Sequence, residues 1–281
     1  MTETVRAAVI GDPVKHSRSP LIHGYWLKQH AINGRYDPIH VVAGEAPAFF
    51  KGLVESGLAG CNVTVPHKED AFRAMDVLTP TAKAIGAVNT VWMDNGRLHG
   101  DNTDAYGFLA NLDERVPGWA RGGKAAVIGA GGAGRAIVHA LLERGYDRIG
   151  IVNRTPARAD ELAAHFGSRV SGGSLDDLAD VLAGSSLIVN TTTLGMEGAG
   201  QDTIDLSAAP REALATDIVY TPLITPFLAT ARARGMPIAD GLGMLLHQAV
   251  PGFERWFGLR PDVTPQLRAR VLADMGLEET A

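Results

Sequence analysis

The stretch GAGGAG, residues 129–134, follows the apolar run KAAVI and opens into RAIVHALLERG. Gly129, Gly131 and Gly134 have the spacing of a dinucleotide loop, with Ala130, Gly132 and Ala133 between them. Glycine there lets the backbone turn tightly and brings a pyrophosphate against the unpaired N–H groups of the following helix. An NAD site normally ends its next strand in an acid that grips the ribose hydroxyls. Here IGIVNRT places Asn153, Arg154 and Thr155 at that end. Arg154 offers a planar cation that can stack on adenine and fork onto a phosphate. Thr155 reads as an N-cap with Pro156 at the first helical position, which brings Arg158 into the first turns of that helix. The expected cofactor is therefore NADP. The loop alone also suits a flavin or methyl-donor site, or a turn without ligand. Either arginine alone could be a solvated charge, and their joint arrival at the ribose-reading strand end favours the phosphate.

Other reactive residue types give weaker signals. Cys61, the single cysteine, rules out an internal disulfide, fits a reducing compartment and reads as a buried strand residue within GCNVTV. His16, His23 and His30 fall seven apart, which suggests a helix face, and no HExxH pair occurs, so no metal is expected. The net charge of -5 and pI near 6.0 supply no field for a phosphate backbone, so nucleic acid is not an expected partner. No apolar run reaches the roughly 18 residues of a membrane span, and the N-terminus lacks a leader pattern. The expectation is a soluble, cytoplasmic protein without membrane partners.

The elements that must position these residues read as α/β. Short Val- and Ile-rich runs alternate with longer helical patterns, the signature of a parallel sheet with crossover helices. AAVIG (7–11), IHVV (39–42) and CNVTV (61–65) read as strands. Ser19 reads as a cap with a helix starting at Pro20, and another helix runs from about His67 to Met75. Asn95-Gly96 between VNTVWM and RLHG predicts a hairpin. AYGFLANLDER connects to VPGWARGGK, a loop suited to a domain boundary. Beyond it, SSLIVNTTT and ATDIVY supply strand ends of a doubly wound nucleotide-binding domain, with Asn190 read as tying off turn backbone. The amphipathic GLGMLLHQAVPGFERWF needs a partner surface. The expected organisation is an N-terminal α/β substrate domain (1–104), a Rossmann-type NADP-binding domain (105–240) and last helices (241–281) returning to the first domain.

Three segments of the first domain carry polar residues at strand or helix ends: HSRSP (16–20), NVTVPHK (62–68) and GAVNT with GDNTD (86–104). With NRTPAR and GLGMLLHQA downstream, they closely resemble the shikimate dehydrogenase family over nearly the whole chain. The resemblance implies a small-molecule substrate, shikimate or 3-dehydroshikimate, and the NADP-dependent reduction of the latter. It implies that Lys68 is the catalytic lysine and Asp104 its partner. An ammonium at a ketone oxygen stabilises the charge that hydride delivery builds there and can donate the proton, and a carboxylate beside it orients the lysine. Ser17 and Ser19 would hold the substrate carboxylate at a helix mouth, where the dipole helps. Asn62, Thr64, Asn89 and Gln248 would contact ring hydroxyls, with Tyr220 near the carboxylate. Ile218 and Gly241 would line the nicotinamide side. Ala105, where glycine is frequent, and Pro80, where an acid is common, depart from the family pattern. A homodimer is the assembly considered.

Rival readings remain open at this level. One is quinate and shikimate oxidation with NAD, which Arg154 and Arg158 oppose. Another is a methylene-tetrahydrofolate dehydrogenase, which the two serines oppose. From a different class comes a catalytically silent NADP-sensing module, with which Lys68, Asp104 and the polar set are hard to reconcile.

Overall fold

The apolar run near the start of the chain forms β1 (Val5–Gly11), and Pro20 opens α1 (Ser19–Gln29). There follow β2 (Gly34–His40), α2 (Ala46–Leu53), β3 (Gly60–Val63), α3 (Lys68–Ala74), β4 (Val77–Leu78) and α4 (Pro80–Ile85). The hairpin of β5 (Thr90–Asp94) and β6 (Arg97–Asp101) then leads into α5 (Asp104–Arg115). The computed structural model describes residues 4–192 and 204–277; the end of the TTTLGM segment lies outside the described residues. One unit of the chain runs through Asp104 and resumes at Leu246, and the other is Ala105–Leu245.

The first unit's sheet has the order β2-β1-β3-β5-β6-β4. It is mixed rather than parallel throughout, because β5 runs antiparallel to both β3 and β6. The cause is local: Asn95 and Gly96 both take positive φ (49° and 73°), which closes a two-residue hairpin. Strand β2 begins five residues before the IHVV run and stops at His40. It tolerates Pro38 because it is an edge strand, where a missing N–H costs no ladder bond. Strand β3 ends at Val63, two residues short of the CNVTV reading, and Thr64 continues from it by donating its N–H to Ile10 O.

Alternation along these strands covers both faces of the sheet. Ile10, Phe50, Leu53, Cys61, Val63 and Val91 form one core, and Ala7, Val9, Tyr36 and Trp256 form the other. Each large side chain fully removed from water contributes about 1.5–3 kcal/mol. The second core is completed from the chain's C-terminal part, α10 (Leu242–Phe257) and α11 (Pro265–Asp274). Trp256 donates from Nε1 to Val91 O (3.0 Å), and Trp26 donates to Asp262 O (3.1 Å). The last helices thus return to the first unit.

Between them, the second unit comprises β7 (Gly123–Ile128), α6 (Gly132–Glu143), β8 (Tyr146–Val152), α7 (Pro156–Phe166), β9 (Val170–Gly173) and α8 (Leu178–Leu182). It continues through β10 (Leu187–Asn190), β11 (Leu214–Asp217), α9 (Pro226–Ala233) and β12 (Ile238–Ala239). All its strands pair in parallel, in the order β12-β11-β10-β7-β8-β9. The chain leaves β7 first to one side and then to the other, so a topological switch point lies between β7 and β10, where such sheets bind ligands. This is a Rossmann-type arrangement. Among the described residues, no helix is long and apolar enough to cross a membrane.

Candidate active site

Lys68 opens α3, and Asp104 opens α5. Their side chains meet with Lys68 Nζ 2.5 Å from Asp104 Oδ2, at exposures of only 17% and 8%. Two further bonds hold this pair in place. Asn89 Nδ2 donates to Asp104 Oδ1 (2.8 Å), so both carboxylate oxygens are engaged. His67, fully buried at the N-cap of α3, has Nε2 2.7 Å from Val41 O; a carbonyl only accepts, so Nε2 carries the proton. That bond fixes the start of the helix that carries Lys68.

Around the pair lies a buried polar network. Asn62 Nδ2 donates to Asn89 O (3.2 Å) and Thr90 Oγ1 (3.1 Å), and Tyr36 Oη donates to Asn62 Oδ1 (2.7 Å). Asn89 Oδ1 accepts from Thr103 N (2.8 Å) and Thr90 Oγ1 (2.9 Å). Thr103 Oγ1 donates to Gln248 O (2.8 Å), tying α10 to the same cluster. Each buried polar group left unmatched costs about 1–3 kcal/mol, so a network this complete is rigid. Thr64 is half-buried just beyond β3.

Ser17 and Ser19 sit at the mouth of α1, but Ser19 is not its cap. The N-cap is Arg18, and Ser17 Oγ accepts from Ser19 N (3.3 Å). One residue of the pair thus serves the turn while the other begins the helix, because Pro20 tolerates either first position. Arg18 pairs with Asp274 (2.9 Å) and is committed elsewhere.

In the second unit, the glycines of the loop serve different structural needs. Gly129 takes φ +111°, where an L side chain is strained. A Cβ on Gly134 would stand 2.5 Å from Gly129 O, so glycine permits the close packing of α6 on its own loop. A Cβ on Gly131, the N-cap of α6, would meet nothing within 4 Å. Thr191, after β10, donates to Ile128 O and Gly129 O (both 3.0 Å) and braces the turn from across the switch point. Asn153 joins the loop to the ribose-reading strand end: its Oδ1 accepts from Ala130 N (3.2 Å) and its Nδ2 donates to Thr155 O (2.9 Å). Thr155 is the N-cap of α7 with Pro156 next, although its hydroxyl makes no cap bond. The side chains of Arg154 and Arg158 are exposed and make no hydrogen bond or ion pair among the described residues. A glycine turn at the start of α6 together with two exposed guanidinium groups fits a 2′-phosphorylated dinucleotide; Gly129 to Ala133 would hold the pyrophosphate, and Arg154 and Arg158 the extra phosphate.

Ile218 and Gly241 adjoin: a Cβ on Gly241 would lie 2.7 Å from Ile218 O. The turn after β11 is pinned by Asp217, which accepts from Val219 N (2.9 Å), Asn190 Nδ2 (3.0 Å) and Thr225 Oγ1 (2.6 Å). Burial raises the Asp217 pKa, and these donors oppose the rise. Asn190, fully buried, also accepts from Thr192 N (3.1 Å) and so ties turn backbone. Tyr220 follows, half-buried.

Several of these residues gave no signal in the sequence reading. Tyr36 acts through a partner 26 residues away, which local patterns do not reveal; His67, Thr90 and Thr103 lay within the quoted NVTVPHK, GAVNT and GDNTD, where attention to every polar position would have found them. Burial pushes the Cys61 thiol up, in keeping with an inert core residue. Pro80 starts α4 behind the Thr79 cap, whose hydroxyl accepts from Ala82 N, so its departure from the family pattern is a helix-start choice. Of the three spaced histidines, only His23 lies on the buried face of α1. Among the described residues, no cluster of side chains suits a metal ion.

Comparison with known proteins follows the same division of the chain. Residues 9–91 match the model of the shikimate dehydrogenase substrate binding domain, 112–218 that of shikimate / quinate 5-dehydrogenase, and 241–269 that of the shikimate 5'-dehydrogenase C-terminal domain. A shikimate dehydrogenase (NADP(+)) of Brucella abortus is 57% identical over 96% of this chain and 94% of its own. That of Azorhizobium caulinodans is 52% identical over 96% of each. Among solved structures, a Thermus thermophilus shikimate 5-dehydrogenase in complex with NADP(H) and shikimate superposes with TM-score 0.81 at 38% identity, covering 94% of this chain and 97% of that one. A quinate dehydrogenase of Corynebacterium glutamicum in complex with NAD gives 0.88 at 30% identity, covering 97% and 100%. With three family models matched in order and relatives more than half identical across nearly its whole length, this chain belongs to the shikimate dehydrogenase family.

Proposed function

We propose that the protein catalyses the reversible reduction of 3-dehydroshikimate to shikimate with NADPH, a step of aromatic amino-acid biosynthesis. The observation that carries this reading is the buried Lys68–Asp104 pair at 2.5 Å, set in a network of neutral hydrogen-bonding groups suited to a polyhydroxylated ring. The similar proteins named above as NADP-dependent shikimate dehydrogenases support it. NADPH, when bound, supplies the hydride to the ring ketone.

The chain's own part is to hold the ring and to move a proton. The Lys68 ammonium has three protons; one faces Asp104, and the others are available to the oxygen on which charge develops. Asp104 cannot swing away, because Asn89 holds its second oxygen. In reduction Lys68 donates the proton to the new hydroxyl; in oxidation the neutral amine takes it back. Ser17 and Ser19, at the positive end of α1, bind the substrate carboxylate. Asn62, Thr64, Asn89 and Gln248 bind ring hydroxyls, and Tyr220 supports the carboxylate. Ile218 and Gly241 line the nicotinamide, and Asn153, Arg154, Thr155 and Arg158 hold the adenosine end.

Oxidation of quinate with NAD is the second reading, favoured by the likeness to the quinate dehydrogenase. Arg154 stands against it, being an arginine at the position where an acid would grip the NAD ribose. The single cysteine, buried and unpaired, suits a reducing compartment, and we place the activity in the cytoplasm. Mixing the protein with shikimate or quinate and with NADP or NAD, and following absorbance of the reduced cofactor, tests the assignment. The expected result is fastest turnover with shikimate and NADP. Preference for quinate with NAD would favour the second reading, and no reduction in any combination would favour a silent cofactor-binding module.

A further inference from the structure

Asn62 occupies β3 between Cys61 and Val63, both of which face the core formed with Phe50 and Leu53. Alternation therefore turns Asn62 to the opposite side of the sheet, toward an aromatic cluster. There the His23 ring stacks on Tyr36 with centroids 3.9 Å apart and planes 8° apart, and Trp26, Phe253 and Trp256 surround His23. An amide side chain only 5% exposed beside such a cluster must place every proton and lone pair it can.

The orientation of the Asn62 amide is settled by its neighbours. Asn89 O can only accept, so the Asn62 nitrogen must face it, and Oδ1 must face Tyr36. Both Nδ2 protons are then used, on Asn89 O and Thr90 Oγ1. Tyr36 fills one Oδ1 lone pair, and the nearby His23 ring also interacts with the Asn62 side chain, so what Asn62 has left to offer is oxygen, not N–H. Asn89 shows the opposite state. Its Oδ1 is filled by Thr103 N and Thr90 Oγ1, while Nδ2 spends one proton on Asp104 and keeps one. The two neighbouring amides thus present opposite polarity, one acceptor and one donor.

We propose that Tyr36 is a positioning residue of the substrate site: its hydroxyl, held by the stack on His23, bonds the Asn62 oxygen and holds in place the amide whose orientation Asn89 O sets, so that Asn62 and Asn89 together position a ring diol. This rests on the substrate assignment made above. Burial holds the Tyr36 phenol well above the ordinary tyrosine range, so it stays a donor at working pH. Burial also pushes His23 down to about 3, so the stacked ring is neutral and adds no charge to the site.

Tyr36→Phe removes the hydroxyl and keeps the stack. With shikimate and NADP, KM for shikimate should rise about tenfold while kcat stays within about twofold and KM for NADP is unchanged, the loss of one buried hydrogen bond that orients a binding group. A double-mutant cycle separates positioning from general support. In an Asn62→Ala background, Tyr36→Phe should have no further effect on KM for shikimate. An unchanged KM in the single variant, equal falls in kcat and cofactor affinity, or additive effects in the cycle would overturn the proposal. Calorimetric titration of shikimate into the same variants without cofactor gives the same comparison where turnover is too slow. A wild-type protein that turns over no shikimate would instead sink the functional reading.

Discussion

Replacing Asp104 by asparagine tests the proton-transfer pair with almost no change in shape. The native carboxylate accepts two bonds, from Lys68 Nζ at 2.5 Å and Asn89 Nδ2 at 2.8 Å. Asparagine keeps one acceptor and turns the other into a donor, so whichever way the amide lies, a donor faces a donor. If Lys68 is the side that loses, the missing charge-assisted bond is worth about 1.5–3 kcal/mol, or roughly 10- to 150-fold in kcat. Removing one member of a fully buried ion pair costs about 3–5 kcal/mol of stability. The Lys68 side chain keeps 17% exposure and can recover water, so a smaller cost of about 1–3 kcal/mol and a drop of a few degrees in Tm are expected. Steady-state oxidation of shikimate by NADP, with NADP affinity measured separately, is the assay. A kcat within about twofold of wild type, with the fold intact, would refute the claim that the carboxylate orients the lysine.

Two further perturbations probe other parts of the account. The Arg154 side chain is exposed and has no partner among the described residues, so Arg154→Ala should leave Tm unchanged while weakening NADP about tenfold or more and sparing NAD; equal binding of both cofactors before and after would reject its phosphate role. His23 is buried and neutral, with its pKa lowered from 6.5 to about 3. Between those values the unfolded chain binds a proton that the native state does not, so its stabilising contribution is complete above about pH 6.5 and is lost as the pH falls. The expected loss is about 1.4 kcal/mol per pH unit, near 2 kcal/mol by pH 5. Urea midpoints from pH 7 to 5 should fall less steeply in His23→Phe than in wild type, and identical slopes would contradict the assignment.

The parts of this fold legible in the sequence are those whose cause is local. Asn95-Gly96 dictates its hairpin because two adjacent residues must take positive φ, and GAGGAG dictates its turn because no side chain fits at Gly129 or Gly134. Strand β2 was misplaced because its limits follow from pairing with β1 at residues that include Pro38, a residue that local propensity counts against a strand. The cap of α1 was misread because the helix already includes Ser19, and Arg18, which makes no side-chain cap bond, takes the N-cap position. Lys68 and Asp104 lie 36 residues apart, and family resemblance, not spacing, brought them together. Tyr36 had no such guide: its bond to Asn62 depends on two strands separated by β1 in the sheet and on which face each side chain takes.

The most direct test of the central claim is the turnover of Lys68→Ala with shikimate and NADP beside its NADP dissociation constant. An amine that carries the proton predicts a fall of roughly 100-fold or more in kcat with cofactor binding little changed. Wild-type turnover in the variant would contradict the account.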